Sequence, residues 1–357
     1  MPTPHKVFQR SPHKFFTRSP HRMRGLENSA IVVVADSSPL PENRKHVWGV
    51  DPNTGDRMWD YANTSFPSGQ SNGRDVRIGP DGLAYIVGVD PNSQPAVWKL
   101  NVGDGTLSQK VIGLFGTALD TRLAINPDGE VWNGVRKFNS SLSQILNYVS
   151  TSIVNAVDEN GNIICVGNAD PIAEFRDTLG NLLWDFTSTE PARQGMHGTM
   201  SADGEHITFT HFSSLTQELR RYDAAGTLIW QKPLSPTVLD NSVFRHATAP
   251  NGWMVQVGRR ESGKSVILRD ENGDEQLDFD TGGNVIAADL ELNSDGDVTG
   301  VYLCGNPAGT PTANIWKLTT ELDDDGLITN WSEAWRQYID DAGSGLWSIA
   351  SPWRAGR

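Results

Sequence analysis

The sequence predicts an all-β chain of repeated four-stranded sheets closed into a ring. Three observations predict it: a recurring turn signature, two hairpins per repeat, and strand-like text at the C-terminus that completes the first repeat. The turn signature is an apolar run, then Pro/Asp-Asp/Asn-Gly, then a second apolar run. It recurs six times: RIGPDGLAYIVG around Gly82, AINPDGEVWNG around Gly129, AVDENGNIICVG around Gly161, TMSADGEHITFT around Gly204, ATAPNGWMVQVG around Gly252 and LELNSDGDVTGVYLCG around Gly296. Asp-Gly and Asn-Gly between alternating apolar residues signal hairpins, because both residues tolerate the positive φ of a primed turn. From Gly82 to Gly296 the mean period is about 43 residues, the length of a propeller blade.

A second hairpin follows each first one. Its clearest copies are VWGVDPNTGDRMWDY (Asp51, Gly55, Trp59), EFRDTLGNLLWDF (Asp177, Gly180, Trp184), RRYDAAGTLIWQK (Asp223, Gly226, Trp230) and ILRDENGDEQLDF (Asp270, Gly273, Phe279). Weaker copies lie at Gly105, after Phe138 and at Gly326. Two hairpins per period make four strands per period. The first copy, Ile31–Asp36 plus Val47–Tyr61, lacks an innermost strand, and Ser348–Pro352 resembles the innermost-strand text of the other repeats. The C-terminal strand is therefore expected to complete blade one, removing exposed sheet edges. The expected fold is a seven-bladed β-propeller over residues 28–357, preceded by an extended arm over residues 1–27. No stretch keeps a 3.6-residue apolar period, which agrees with an all-β chain.

The Asp-x-x-x-Gly-x-x-x-Trp hairpin resembles the repeat of pyrroloquinoline-quinone-type β-propellers over residues about 30–353. The resemblance implies architecture only, since propellers share a layout across many functions. No quinone site is carried over, because the chain has no vicinal Cys pair and no recognisable set of metal carboxylates. No cofactor and no metal are expected.

The arm is the most distinctive segment. Pro4-His5-Lys6-Val7-Phe8-Gln9-Arg10-Ser11 is followed by Pro12-His13-Lys14-Phe15-Phe16-Thr17-Arg18-Ser19 and then Pro20-His21-Arg22-Met23-Arg24. A Pro every eight residues prevents a continuous helix, and the apolar content is too low to fold alone. Identical motifs at fixed spacing suit identical sites on a repeated partner. Each octad offers an imidazole (His5, His13, His21), a cation (Lys6, Lys14, Arg22), and in the first two copies an aromatic anchor (Phe8, Phe16) and an arginine (Arg10, Arg18).

Removing the arm's six positive charges from the net −13 leaves about −19 on residues 25–357. This is a basic arm on an acidic body, which argues against nucleic acid or an anionic membrane as a ligand of the body. The chain has no run of 18 apolar residues, and the apolar stretch of an ordinary secretory signal is lacking, so neither a membrane span nor secretion is expected. Cys165 and Cys304, in similar strands of different repeats, are expected to be small buried residues rather than a disulfide.

Innermost strands line a propeller channel. Seven residues before each first-hairpin Gly stand Asp75, Arg122, Val154, His197, Arg245 and Asp289; five before stand Arg77, Ala124, Ala156, Thr199, Ala247 and Glu291. Strand alternation places this polar set on one face, as inter-blade ion pairs or as a ligand pocket. Arg122, His197, Arg245, His246 and Asp289 are the candidate channel site. His197 and His246 differ by one in register, which predicts opposite faces and argues against joint metal ligation. Asp158-Asn160-Asn162, Asp270-Asn272-Asp274 and Asn293-Asp295-Asp297 imitate calcium loops but lack the Gly and Glu of the full pattern, so turn chemistry is expected. Trp59, Trp184 and Trp230 are expected to pack blades, while Trp331, Trp335, Trp347 and Trp353 crowd the closing region.

The functional expectation is a non-enzymatic structural and interaction protein, tethered by its arm to the protein subunits of a symmetric assembly. A tailed-phage virion fits, with the propeller as decoration or tail appendage and its face free for a host glycan or protein. Alternatives are a channel-site hydrolase or lyase, a glycan-binding propeller, a nucleic-acid-tethered scaffold, and cytoplasmic rather than virion localisation.

Overall fold

The computed structural model describes residues 30–36, 47–61, 72–89, 95–112, 122–147, 152–167, 170–190, 194–213, 217–234, 245–258, 264–307, 313–322, 328–339 and 345–351. These form seven four-stranded antiparallel sheets in a ring, with no helix among the described residues. The chain is a seven-bladed β-propeller.

Blade 1 takes β1 (Ile31–Asp36), β2 (Val47–Val50) and β3 (Arg57–Tyr61). Blade 2 takes β4 (Asn72–Ile78), β5 (Leu83–Val89), β6 (Pro95–Asn101) and β7 (Leu107–Ile112). Blade 3 takes β8 (Leu123–Ile125), β9 (Val131–Asn133), β10 (Arg136–Phe138) and β11 (Gln144–Asn147). Blade 4 takes β12 (Ile153–Val157), β13 (Ile163–Val166), β14 (Ala173–Arg176) and β15 (Leu182–Phe186). Blade 5 takes β16 (Gln194–Met200), β17 (Ile207–Phe212), β18 (Gln217–Tyr222) and β19 (Leu228–Pro233). Blade 6 takes β20 (Arg245–Thr248), β21 (Met254–Val257), β22 (Lys264–Arg269) and β23 (Glu275–Asp280). Blade 7 has longer strands: β24 (Gly283–Leu292), β25 (Val298–Pro307), β26 (Ala313–Leu322) and β27 (Ile328–Ile339). Finally β28 (Gly345–Ala350) pairs antiparallel with β1, Val32 opposite Ala350 and Val34 opposite Ser348, and supplies the innermost strand of blade 1.

The turns differ from the primed type expected. In the outer turn of blade 4, Gly180 (φ +85°) donates its N–H to Asp177 O at 2.9 Å, and Asp177 N donates to Asn181 O at 2.9 Å. Only the glycine is left-handed, so the loop is a type I turn closed by a glycine bulge. Pro80 and Pro127, fixed near φ −65°, suit the second position of such a turn. Where an Asp or Asn opens the turn it caps it: Asp158, Asp270 and Asn293 each accept, on Oδ1, the backbone N–H groups two and four residues on. The first residue of each calcium-like triplet is thus engaged in turn chemistry. Blade 3 has no glycine here, and Leu142 takes its place at φ +58°, donating to Asn139 O. Burial of the Leu142 side chain offsets a left-handed cost of about 1–2 kcal/mol.

The same left-handed glycines receive tryptophans from the preceding blade. Trp184 Nε1 donates to Ala224 O at 3.3 Å and its ring covers Gly226, where a Cβ would lie 2.8 Å from Cγ. Trp230 donates to Glu271 O at 2.9 Å and covers Gly273; Trp59 donates to Val102 O at 2.7 Å and covers Gly105. Trp335 repeats this across the ring closure, donating to Pro52 O at 3.2 Å and covering Gly55 of blade 1. Of the other closing-region tryptophans, Trp331 is buried, while Trp353 and the side chain of Trp347 lie outside the described residues.

The apolar core lies between facing blades. At the closure, Ile31, Val33 and Trp48 of blade 1 pack with Tyr302, Cys304 and Ile315 of blade 7 and with Leu346 and Ile349 of β28. Cys165 and Cys304 are buried and not joined in a disulfide, and burial pushes the Cys304 pKa up to about 12.

Candidate functional site: the central channel

Asp75 on β4 is the centre of the hydrogen-bond network behind the channel wall. Its carboxylate is fully buried and accepts four hydrogen bonds: Ser348 Oγ at 2.6 Å, Arg77 Nη1 at 3.0 Å, Leu123 N at 3.0 Å and Arg245 Nη1 at 3.3 Å. These donors come from blades 1, 2, 3 and 6, so one side chain joins blades that are not ring neighbours. Burial alone would raise the Asp75 pKa. The charges of Arg77 and Arg245, with the Ser348 and Leu123 donors, outweigh that and hold it below its usual 3.8.

Arg122 precedes β8 and reaches past blade 4 to donate from Nη2 to Met196 O at 2.9 Å, while its Nη1 has no acceptor. Burial, then the neighbouring charge of Arg245, pushes its pKa down to about 9. Arg245 is also held below its ordinary value by burial, countered by Asp75. Asp289 has a different task. Its Oδ2 accepts Ser351 N at 2.7 Å and its Oδ1 accepts Leu290 N at 2.9 Å, which fastens the end of β28 to blade 7.

His197 and His246, expected on opposite faces of their own strands, are brought together between adjoining blades. Their rings meet edge to face with centroids 4.6 Å apart, and both are buried. Neighbouring blades turn opposite sheet faces towards each other, so these two register positions meet across the interface of blades 5 and 6, beside a register shift of β16 on β17 between Gly195 and Gly198. His246 Nε2 lies 3.3 Å from Thr210 Oγ1 on β17. Burial, then the charge of Arg122, holds the His197 pKa well below 6.5; burial pushes that of His246 down to about 3.

All five candidate residues are buried around one channel cavity, whose wall includes His197, Arg245, His246 and Asp289, with Arg122 beside it. Arg77 and Ser348 also line it, and Asp75 lies directly behind; register counting had picked out Asp75 and Arg77 without assigning them to the site. Glu291, counted with the same polar face, leaves it. Between the two bulges of β24 it accepts from Lys317 Nζ at 2.9 Å and from Tyr302 OH at 2.6 Å, on the blade 7 side facing blade 1. Among the described residues no group of three or more His, Cys, Asp or Glu is placed to hold a metal. The ten arm candidates, from His5 to Arg22, lie outside the described residues.

Two neutral imidazoles in the fold have a consequence in acid. Once the chain unfolds, each histidine regains a pKa near 6.5, so between that value and the lowered folded value the unfolded state binds more protons and stability falls with pH. The slope is up to about 1.4 kcal/mol per pH unit for each histidine. Asp75, with its pKa lowered, adds its own loss only below pH 3.8. Urea midpoints are expected to drop between pH 6.5 and 4.5, and His246→Asn to flatten the drop. A flat wild-type profile would contradict the burial of both rings.

No protein-family model and no curated protein matches the chain. Solved structures do. A provisionally assigned 6-phosphogluconolactonase from Bacteroides fragilis aligns over 88% of this chain and 99% of its own at 12% identity, with a TM-score of 0.56. A chain of the mitotic checkpoint complex aligns over 78% of this chain and 82% of its own at 10% identity, TM-score 0.54. BamB from Moraxella catarrhalis aligns over 84% and 87% at 15% identity, TM-score 0.47. The first two likenesses, at these identities, are of fold alone.

Proposed function

We propose that the chain is a non-enzymatic structural and interaction protein: a propeller that residues 4–24 tether to a symmetric, acidic, multi-subunit assembly such as a tailed-phage virion, as decoration or tail appendage. The observation that carries an interaction role is the outer rim. Leu182 and Leu183 on β15 and Leu228 and Ile229 on β19 occupy the same two positions ahead of the docking tryptophan, and they are 48%, 52%, 44% and 46% exposed. Trp184 seats the outer turn of blade 5, so these pairs stand on adjoining blades. Met58, Leu107 and Ile145 are exposed on the outermost strands of blades 1 to 3. An outermost strand facing water needs none of these side chains for its fold, and repeated exposed aliphatics are characteristic of a covered surface.

The tandem octads supply the tether. The tryptophan docked on a left-handed glycine supports the kinship of the blades with pyrroloquinoline-quinone-type repeats. A hydrolase or lyase site is the second reading, motivated by the paired histidines, although a base held near pKa 3 is weak at neutral pH.

The test is cosedimentation of labelled protein with the purified assembly. Phe8→Ala and Phe16→Ala are each expected to weaken attachment by about 1–3 kcal/mol. The double variant should lose far more, because linked sites multiply through effective concentration. Unchanged attachment of the double variant would remove the tether, and unchanged attachment of a Leu183→Ser, Ile229→Ser chain would remove the rim.

A further inference from the structure

We propose that the outer rim of blades 3 to 5 is a contact surface for a second copy of this chain. The inference rests on the reading of the rim as a covered surface, and it names what covers it. In every blade the outer hairpin shifts register at the same place, so that one residue of the outermost strand has no partner opposite it and bulges out. In blade 4, for example, Arg176 lies opposite Leu182 and Phe175 opposite Trp184, which leaves Leu183 over. The bulged residues of blades 1 to 7 are Met58, Ser108, Ile145, Leu183, Ile229, Gln276 and Ala334.

Serine, glutamine and alanine serve at this position in blades 2, 6 and 7, so the bulge itself does not require an aliphatic side chain. Three adjoining blades nevertheless carry one. Ile145, Leu183 and Ile229 are each about half exposed, as are Leu182 and Leu228 beside them, and Leu179 in the outer turn of blade 4 is more exposed still. A fold that repeats around a ring gives no reason for such an arc, whereas a contact surface does.

The bulges also select the occupant. An extended segment gains affinity chiefly by adding a strand to a sheet edge, and bulges in β11, β15 and β19 interrupt the run of backbone groups that such a strand needs. The surface is therefore met by side chains rather than by an extended peptide such as residues 4–24. Its six side chains are all aliphatic, so an identical patch satisfies them, which is the self-complementarity that a two-fold contact requires. The area suffices. Six half-exposed aliphatic side chains offer on the order of 500 Å² of apolar surface, and two such patches bury roughly 1,000 Å², the lower bound of a specific interface. Each chain carries a net charge of −13, so two copies repel at a distance and their association strengthens as salt screens that repulsion. Attachment of the basic arm to an acidic surface has the opposite dependence on salt.

Sedimentation equilibrium of the full chain over a micromolar concentration range, at low and at high salt, tests this. A reversible monomer–dimer equilibrium is expected, tighter at high salt and weakened about tenfold or more by Leu183→Ser with Ile229→Ser. Met58→Ser, which alters the bulged residue of blade 1 outside the arc, is expected to change nothing. All three side chains are exposed, so the variants keep the fold, and urea midpoints check that they do. A wild type that stays monomeric at both salts overturns the proposal, as does a dimer that the double variant leaves unchanged or that weakens with salt, which assigns it to the arm. If the wild type is monomeric while the double variant still loses attachment to the purified assembly, the second copy falls and the covered rim stands; if the double variant alters neither, both fall.

Discussion

Asp75→Ala is expected to destabilise the propeller by about 3–5 kcal/mol, the cost of removing one partner from a buried ion pair. The carboxylate does more than neutralise one arginine. It gathers donors from four blades, so its loss leaves Arg77 and Arg245 facing each other and takes from Arg122 the carboxylate charge that acts on it. Asp75→Asn keeps the shape but removes the charge, and is expected to fall close to Asp75→Ala. Removing a second charge should recover much of the loss, so Asp75→Ala with Arg245→Met is expected to be more stable than Asp75→Ala alone. Urea-unfolding midpoints of the four proteins measure this. A single variant as stable as wild type would show that the channel network contributes nothing to the ring.

Removing β28, residues 345–351, is expected to abolish cooperative unfolding. The strand carries Leu346 and Ile349 into the closure core, and burial of each contributes about 1.5–3 kcal/mol. It also supplies the ladder to β1, the Ser348 bond to Asp75 and the Ser351 bond to Asp289. Without it, β1 becomes an open edge able to pair with other chains. Trp335 docking on Gly55 would then be left as a specific link between blades 7 and 1, which is too little to close a ring. Light scattering and the breadth of the thermal transition should report aggregation and lost cooperativity. A monomeric truncation with a sharp transition would mean that the ring closes without its last strand.

Architecture was readable because its signals are local. A left-handed backbone position excludes most side chains, so glycine marks the turns, and Gly82, Gly129, Gly161, Gly204, Gly252 and Gly296 all have positive φ. The spacing from Gly55, Gly180 and Gly226 to Trp59, Trp184 and Trp230 likewise reflects a geometry repeated in the outer hairpins. Leu142 shows the limit of the signal. A leucine in the glycine's place left only a weak copy of the outer turn of blade 3, because core burial rather than backbone freedom holds it there.

The channel was readable as a register and not as a set of contacts. Counting back from each turn places Asp75, Arg122, His197, Arg245 and Asp289 at one level of the channel, and the structure places them around one cavity. Which groups pair across that level depends on strand irregularities and on blades far apart in sequence. His197 meets His246 across the interface of two adjoining blades, and Glu291, between two irregularities of β24, pairs with Lys317. Asp75 finds Arg245 170 residues away and Ser348 273 residues away. Turn glycines and hydrophobic alternation act over a few residues, so the chain alone determined seven similar blades. Charge balance in the channel is a property of the closed ring, because burial sets the cost of each charge and only closure decides which charges share it.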